Sequence, residues 1–321
     1  MVILAFYLFL NHPVGKPSRE MLRSYTKYAL PISVLVFISS MVQNVDKPLI
    51  LFFSKDPSEV ANYFMVQRIT LVYILISSSV APILFPKLSE THACMGMAEL
   101  QELCRKAERY TSMIIVPLVA MTVALTPVFI LLFVGKPYLN ASNVLAILSI
   151  YALILSIDMS YITVLYCVDR PDLCLRLGII TMGTTILLFG VLVPKTFFGY
   201  TLLGGGAIGA ATAILIGTTI EYVVSRYYAY KIANVASYRR IGFHMLAGIS
   251  MACILYMIGW YMNFEMRWYE LGGVCFVGLL IYLGLLWAVD EFTKRDLFFF
   301  LDLLNVKKMV NYISGEMRGK K

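Results

Sequence analysis

Long apolar runs alternate with short clusters of charge along this chain. The stretch Tyr110–Val134 has no ionised side chain between Arg109 and Lys136. Roughly 20 apolar residues make a helix long enough to cross a bilayer. No water is available there to satisfy a bare peptide group, so such a run has to be helical. Reading the runs by length and apolarity predicts about eight spans, near 29–53, 62–86, 111–134, 142–168, 174–193, 207–230, 242–262 and 269–289. The fold class expected is all-α, a polytopic transmembrane helical bundle.

Between the second and third spans, segment 87–110 reads as a surface helix. Leu100, Leu103 and Cys104 would face the membrane, and Glu99, Glu102, Arg105, Lys106 and Glu108 would face water. Near the end, Thr293-Lys-Arg-Asp296 has the pattern of a capping box. Leu297, Phe300, Leu301 and Leu304 follow at helical spacing, which predicts an amphipathic helix held on the inner leaflet by apolar burial and anionic lipid. A partner-binding helix is the rival reading.

Composition agrees with a membrane protein. The 321 residues are 60% hydrophobic and 14% charged, with mean hydropathy +0.77. The formal charge of +8 does not call for nucleic acid, because basic residues gather on the cytoplasmic side of membrane proteins. Twenty-one Lys and Arg fall in segments on one side, and four (Lys55, Lys136, Lys195 and Arg267) on the other. That asymmetry predicts a multi-pass protein of the cytoplasmic membrane with both ends in the cytoplasm. The six cysteines form no Cys-x-x-Cys pair, and no metal site, disulfide framework or cofactor is expected. The three histidines, His12, His92 and His244, stand at segment ends and read as solvated.

Polar residues inside spans are costly and need a reason. At 100° per residue Ser33, Ser40, Asn44 and Lys47 fall within a sector of about 60°, bordered by Gln43. This stripe should line a watery passage. Lys47 is then either a contact for an anionic group such as phosphate, or a side chain snorkelling to the outer headgroups. Asp46 points away from the stripe. Arg68, at a similar depth on the next span, is its candidate partner, in a pair that could simply fix one helix against the other. Asp158 and Glu221 lie toward the cytoplasmic ends of their spans. Each is a candidate for cation or proton coupling, with hydration or pairing to Arg170 or Arg226 as the alternative.

Pro48, Pro82, Pro117 and Pro127 break hydrogen bonds within spans and bend them. The run Gly204-Gly-Gly-Ala-Ile-Gly-Ala-Ala211 permits close helix packing. It is no dinucleotide fingerprint, since no strand precedes it. No Asp-x-Asp, His-Glu-x-x-His, Gly-x-Ser-x-Gly or Walker pattern occurs, so no enzyme activity is expected.

Several segments together resemble the polysaccharide and lipid-linked oligosaccharide flippases of the multidrug/oligosaccharidyl-lipid/polysaccharide exporter superfamily. They are Tyr28-Ala-Leu-Pro31 with Asp46 late in the same span, Ala61-Asn-Tyr63, and Ala81-Pro-Ile-Leu-Phe-Pro-Lys-Leu-Ser89. Phe133-Val-Gly-Lys-Pro-Tyr138 with Ala141 and Leu145, Gly206-Ala-Ile-Gly-Ala-Ala211, and Thr293-Lys-Arg-Asp-Leu297 complete the set. Members of that family have two six-span lobes, often with two added spans. The resemblance therefore implies a second lobe at 29–230 and two additional helices at 231–289. Residues 1–11 would be the remnant of a preceding span, 12–28 a cytoplasmic linker, and 290–321 a cytoplasmic amphipathic tail.

The same resemblance implies translocation of a lipid-linked glycan across the cytoplasmic membrane, with the missing first lobe leaving three readings: a chain inactive alone, a fragment, or a partner of a separately made first lobe. It implies a substrate site built from Lys47, Arg68, Asn44, Gln43 and Ser40. The partners are the lipid-linked glycan and membrane lipids, and no nucleic acid. A cation-coupled drug exporter of the same superfamily is one alternative. A membrane glycan polymerase or ligase is another, which the short outer loops disfavour.

Overall fold

The computed structural model describes residues 18–79, 88, 96–197, 200–201, 203–293 and 296. The remnant expected at 1–11, the motif at 81–89 and the amphipathic tail beyond 296 lie outside the described residues. Each predicted span falls on a helix. Helix α1 runs Arg19–Ser54, α2 Pro57–Ser78, α3 Met97–Ala124 and α4 Thr126–Phe133. A short 3-10 turn, Lys136–Ala141, leads to α5 Ser142–Cys167, then α6 Pro171–Leu192, α7 Gly206–Ala233, α8 Ile241–Tyr261 and α9 Trp268–Ala288. A two-residue antiparallel ladder, β1 Thr196–Phe197 with β2 Tyr200–Thr201, joins α6 to α7. Six helical stretches among the described residues are long and apolar enough to cross a membrane, or seven if α3 and α4 form one broken span. Helix α1 covers the remaining predicted segment.

The boundaries follow local chemistry. Ser18 caps α1 by accepting from Met21 N at 3.1 Å. Helix α1 stops where Lys55 turns left-handed at φ 55°. Asp56 then caps α2, accepting from Ser58 N at 2.8 Å, and Pro57 takes the first turn, where no donor is needed. Helices α1 and α2 are thus a hairpin with a two-residue joint, and residues equally far from the joint sit at equal depth.

The predicted span 111–134 is broken. The chain turns by 85° between α3 and α4, at Leu125, with Pro127 in the first turn of α4. A proline there cannot donate into the preceding turn, so the hydrogen-bond ladder ends and the helix restarts in a new direction. Gly135, at φ 111°, takes the sharp turn that follows.

Helices α1, α2, α5, α6 and α7 pack around one another. Their shared core near the α1–α2 joint contains Ile50, Tyr63, Val66, Leu145, Phe189, Ala207, Ala210 and Ala211. The small residues of α7 bring its backbone against α6: a Cβ on Gly209 would meet the Leu192 carbonyl oxygen at 2.3 Å. Glu59 of α2 closes the same corner, accepting from the otherwise free Ala207 N at 2.8 Å in the first turn of α7. Helices α8 and α9 pack instead on α3, through Met251, Leu255, Tyr282 and Leu286.

Segment 97–110 keeps Glu99, Glu102, Arg105 and Lys106 exposed as expected, but its apolar face meets protein. Leu100 and Cys104 are buried against α5 and α7, beside Tyr161, Val164, Ala229 and Ala233. Glu108, expected in water, is buried and fully used: it accepts from Tyr161 Oη at 2.8 Å, Tyr238 N at 2.7 Å and Ser237 Oγ at 3.3 Å. The amphipathic pattern faced a protein wall, which hydrophobic spacing cannot distinguish from lipid. His244 is likewise not solvated. It is buried, with Nδ1 2.7 Å from Ser112 Oγ.

The polar pattern near the end finds its partner on α3. Arg109 donates to Glu291 Oε1 at 2.9 Å and clasps both Asp296 oxygens at 3.0 and 2.8 Å. Thr293 donates its N–H and hydroxyl to the same Asp296, at 2.9 and 2.7 Å, the backbone half of the expected capping box. Burial opposes ionisation of both acids, yet the bonds from Tyr238 and Arg109 hold Glu291 below its ordinary value, and those from Arg109 and Thr293 do the same for Asp296.

Two outcomes follow for thermal unfolding in detergent. Gly209→Val lowers stability by about 1–3 kcal/mol, because α7 must leave α6 to admit the side chain; Gly242→Ala, whose Cβ meets nothing within 4 Å, is neutral. Arg109→Met costs about 3 kcal/mol by stranding two buried carboxylates. Because the folded values of Glu291 and Asp296 are depressed, their stabilisation is present above the ordinary carboxylate range. It is lost as pH falls through those depressed values, and Arg109→Met flattens that acid limb.

Candidate functional site

The hairpin fixes the first part of the site. Lys47 lies seven residues before the end of α1, and Phe64 seven residues after the start of α2. At 1.5 Å per residue both are roughly 10 Å from the joint. Arg68 follows Phe64 by one helical turn and shares its face. The Lys47 ammonium lies over the Phe64 ring, 5.0 Å from its centroid, and the Arg68 guanidinium lies over the same ring at 4.5 Å.

These groups open onto a cavity of about 580 Å³ enclosed by α1, α2, α5, α6 and α7. At its hairpin end are Asp46, Lys47, Tyr63, Phe64, Gln67 and Arg68; toward the other end are Asp158, Thr181 and Glu221. Leu71, Ile74, Leu148 and Leu155 make the wall between. The cavity is therefore cationic at one end, acidic at the other and apolar in its middle.

Asp46 departs from the sequence expectation twice. It lines the cavity with Lys47 instead of pointing away, and it does not pair with Arg68. Its carboxylate accepts from Gln67 Nε2 at 3.1 Å and from Lys47 N at 2.8 Å. A neutral amide on the neighbouring helix thus takes the place expected of the guanidinium. Neither Lys47 nor Arg68 makes an ion pair with a described carboxylate.

Asp158 and Glu221 are not paired to the arginines considered for them. Arg170 bonds Asp172 at 3.2 Å, and Arg226 reaches the Tyr222 hydroxyl at 3.1 Å. Asp158 is buried on α5 and accepts from Ser225 Oγ; Glu221 on α7 accepts from Thr181 Oγ1 at 2.9 Å. The carboxylates come from different helices yet face one space, each with a hydroxyl donor. Ser40, Gln43 and Asn44 lie within α1, but their side chains are outside the described residues.

Phe64, Gln67, Tyr151 and Thr181 also line the site, and sequence reasoning missed them. Phe64 had a signal: it precedes Arg68 by four residues and mirrors Lys47 across the joint. Thr181 had none, because its role depends on which face α6 turns to α7.

Residues 1–143 match the family described as "Polysaccharide biosynthesis protein". The probable low-salt glycan biosynthesis flippase Agl15 of Haloferax volcanii is 22% identical over 245 residues, 75% of this chain and 49% of that protein. This chain thus spans about half the length of that curated relative. Among solved structures, the lipid II flippase MurJ in an inward closed conformation aligns with a TM-score of 0.65 at 17% identity, covering 88% of this chain and 58% of that one. The chain has the fold of the MOP-superfamily transporters. A superfamily member from Pyrococcus furiosus and a multidrug resistance MATE family transporter in an outward-facing conformation each align with a TM-score of 0.55 at 12% identity, covering 83% of this chain and 65% of theirs.

The chain is a multi-pass membrane protein that resembles the polysaccharide and lipid-linked oligosaccharide flippases. In that fold the cavity faces of four helices carry the ionisable residues just described.

A cysteine scan checks the cavity. In a cysteine-free background, Leu71→Cys, Thr181→Cys and Met182→Cys should react with a membrane-impermeant thiol reagent, whereas Val66→Cys, buried in the helix core, should not. Equal reactivity at all four positions would contradict the enclosure.

Proposed function

We propose that this chain is the second lobe of a flippase that moves a lipid-linked oligosaccharide or polysaccharide precursor across the cytoplasmic membrane, working with a first lobe. The observation that carries this reading is the pair of cations, Lys47 and Arg68, at one end of the cavity without an ion-pair partner among the described residues. An ionised side chain facing a cavity inside a membrane protein is costly unless an anion arrives to meet it. The phosphate joining a lipid to a glycan is such an anion. The apolar middle of the cavity tolerates the lipid-proximal part of the headgroup, while the tail stays in the bilayer beside the helices.

Gln43, Asn44 and Ser40 belong to the same proposed site as extensions of the Lys47 stripe. The chemistry is binding and displacement, with no covalent step. The chain's 49% and 58% coverage of Agl15 and MurJ supports a role as one lobe of a larger transporter. Alternating access then requires two lobes rocking about the site. The uneven spread of Lys and Arg supports both ends lying in the cytoplasm.

Asp158 and Glu221, two cavity carboxylates with hydroxyl donors but no basic partner among the described residues, favour coupling to a proton or cation. They also keep a cation-coupled exporter of the same superfamily as the second reading.

In proteoliposomes of the assembled transporter, Lys47→Ala with Arg68→Ala should lower translocation of a fluorescent polyprenyl-diphosphate glycan by tenfold or more, about the loss of one charge-assisted hydrogen bond. Lys55→Ala, at the exposed joint, should leave it unchanged. Undiminished glycan transport in the double variant would overturn the reading. Loss of drug efflux in Asp158→Asn without loss of glycan transport would favour the exporter.

A further inference from the structure

Away from the cavity, one buried side chain has an unused atom. His244, in the first turn of α8, is fully enclosed by protein. Its Nδ1 lies 2.7 Å from Ser112 Oγ of α3. Its Nε2 makes no hydrogen bond with a described residue, yet lies 3.5 Å from Glu291 Oε1. Ser112 has one hydroxyl hydrogen, which it donates to Arg109 O at 2.9 Å. Ser112 Oγ then accepts from the ring, so Nδ1 carries a hydrogen. In a neutral ring this leaves Nε2 bare, a lone pair beside a carboxylate oxygen. The other neutral tautomer puts the hydrogen on Nε2 but draws the Ser112 hydrogen away from Arg109 O. Only the imidazolium satisfies all three contacts at once, with Nδ1–H on Ser112, the Ser112 hydroxyl on Arg109 O and Nε2–H on Glu291.

We infer that His244 and Glu291 form a binding site for one proton, and that this proton fastens α8 to the segment after α9. Arg109 already holds Glu291 from α3, through Nε at 2.9 Å. Tyr238 donates to the same carboxylate, and Arg240 approaches its other oxygen at 3.4 Å. Asp296 engages Arg109 in turn, and Glu108 accepts from Tyr238 N at 2.7 Å. Tyr282 of α9 adds a buried hydroxyl that bonds no described residue. Among these groups imidazole is the one whose ordinary titration falls near neutrality. Acid therefore acts on the clasp in two opposite ways. Mild acidification adds the bond from His244, and stronger acid removes the carboxylate charges that Arg109 holds. Arg240 is 54% exposed, which brings water to the edge of the pair. The cluster lies at the end of the bundle away from the α1–α2 joint and outside the cavity wall. A pH change there alters how the additional helices are held without touching Asp46, Lys47 or Arg68.

The test uses the full chain in phosphatidylcholine nanodiscs, with its histidines labelled on the ring nitrogens for NMR. The chain has three histidines, His12, His92 and His244, so His244→Asn assigns the signal while keeping an N–H for Ser112. Between about pH 8 and about pH 5 the His244 ring should pass from neutral to imidazolium. Glu291→Gln should lower the midpoint by about one pH unit, a tenfold loss of proton affinity. Amide hydrogen exchange at Asp290–Thr293, corrected for its intrinsic pH dependence, should slow roughly threefold to tenfold on acidification. In His244→Asn that slowing should vanish. A ring that keeps one protonation state across the range, or a midpoint indifferent to Glu291→Gln, would overturn the proton site. The wild-type titration decides the first point even if a variant fails to fold. A titrating ring without the slowing of exchange in the wild type, or with the same slowing in His244→Asn, would overturn the fastening.

Discussion

An ionised side chain in an apolar medium must face protein or water, and that constraint organises this molecule. Asp46, Lys47, Arg68, Asp158 and Glu221 come from four helices, and all five open onto one cavity. Helix rotation is therefore not free. Helix α1 must turn Lys47 toward α2, α5 must turn Asp158 toward α7, and the apolar remainder of each helix covers the outside. Exposed Leu30, Phe37, Leu75, Leu187, Leu246 and Trp260 are the counterpart of that arrangement. In water they would be a liability; in a bilayer they are the solvated surface.

The molecule treats charge in two opposite ways. Around Arg109 the charges are compensated: the guanidinium meets two carboxylates and a backbone carbonyl, and Glu108 nearby accepts three hydrogen bonds. Such a cluster ties α3 to the segment after α9 and has little left to offer a ligand larger than a proton. In the cavity the cations rest on an aromatic ring, and Asp158 and Glu221 each hold a hydroxyl donor. Incomplete compensation is costly for stability, which is why it is informative about function.

Backbone approach makes the cavity possible. Helix α7 lies against α6 because Gly209 has no Cβ to collide with the Leu192 carbonyl, and Glu59 of α2 completes the corner at Ala207 N. With α6 and α7 seated closely, the larger side chains of α2 and α5 are left to frame the open space. The additional helices α8 and α9 pack on α3, on elements outside the cavity wall, so their exposed aromatic surface leaves the site undisturbed.

The sequence by itself determined the helices and most of their ends. Apolar run length, the Asp56-Pro57 start, the small residues opening α7 and the break at Pro127 are local properties that hold whatever surrounds them. It also brought Lys47, Arg68, Asp158 and Glu221 forward, because a charge within an apolar run is conspicuous anywhere. Only the tertiary structure decided what those charges meet. Gln67 in place of Arg68 as the partner of Asp46, Ser225 for Asp158, and Asp296 for Arg109 at a distance of 187 residues depend on helix rotation and register. So does the burial of Leu100, Cys104 and Glu108 against protein. An amphipathic pattern shows that one face must be covered and leaves open by what, because lipid, a neighbouring helix and a closed polar cluster all satisfy the same spacing.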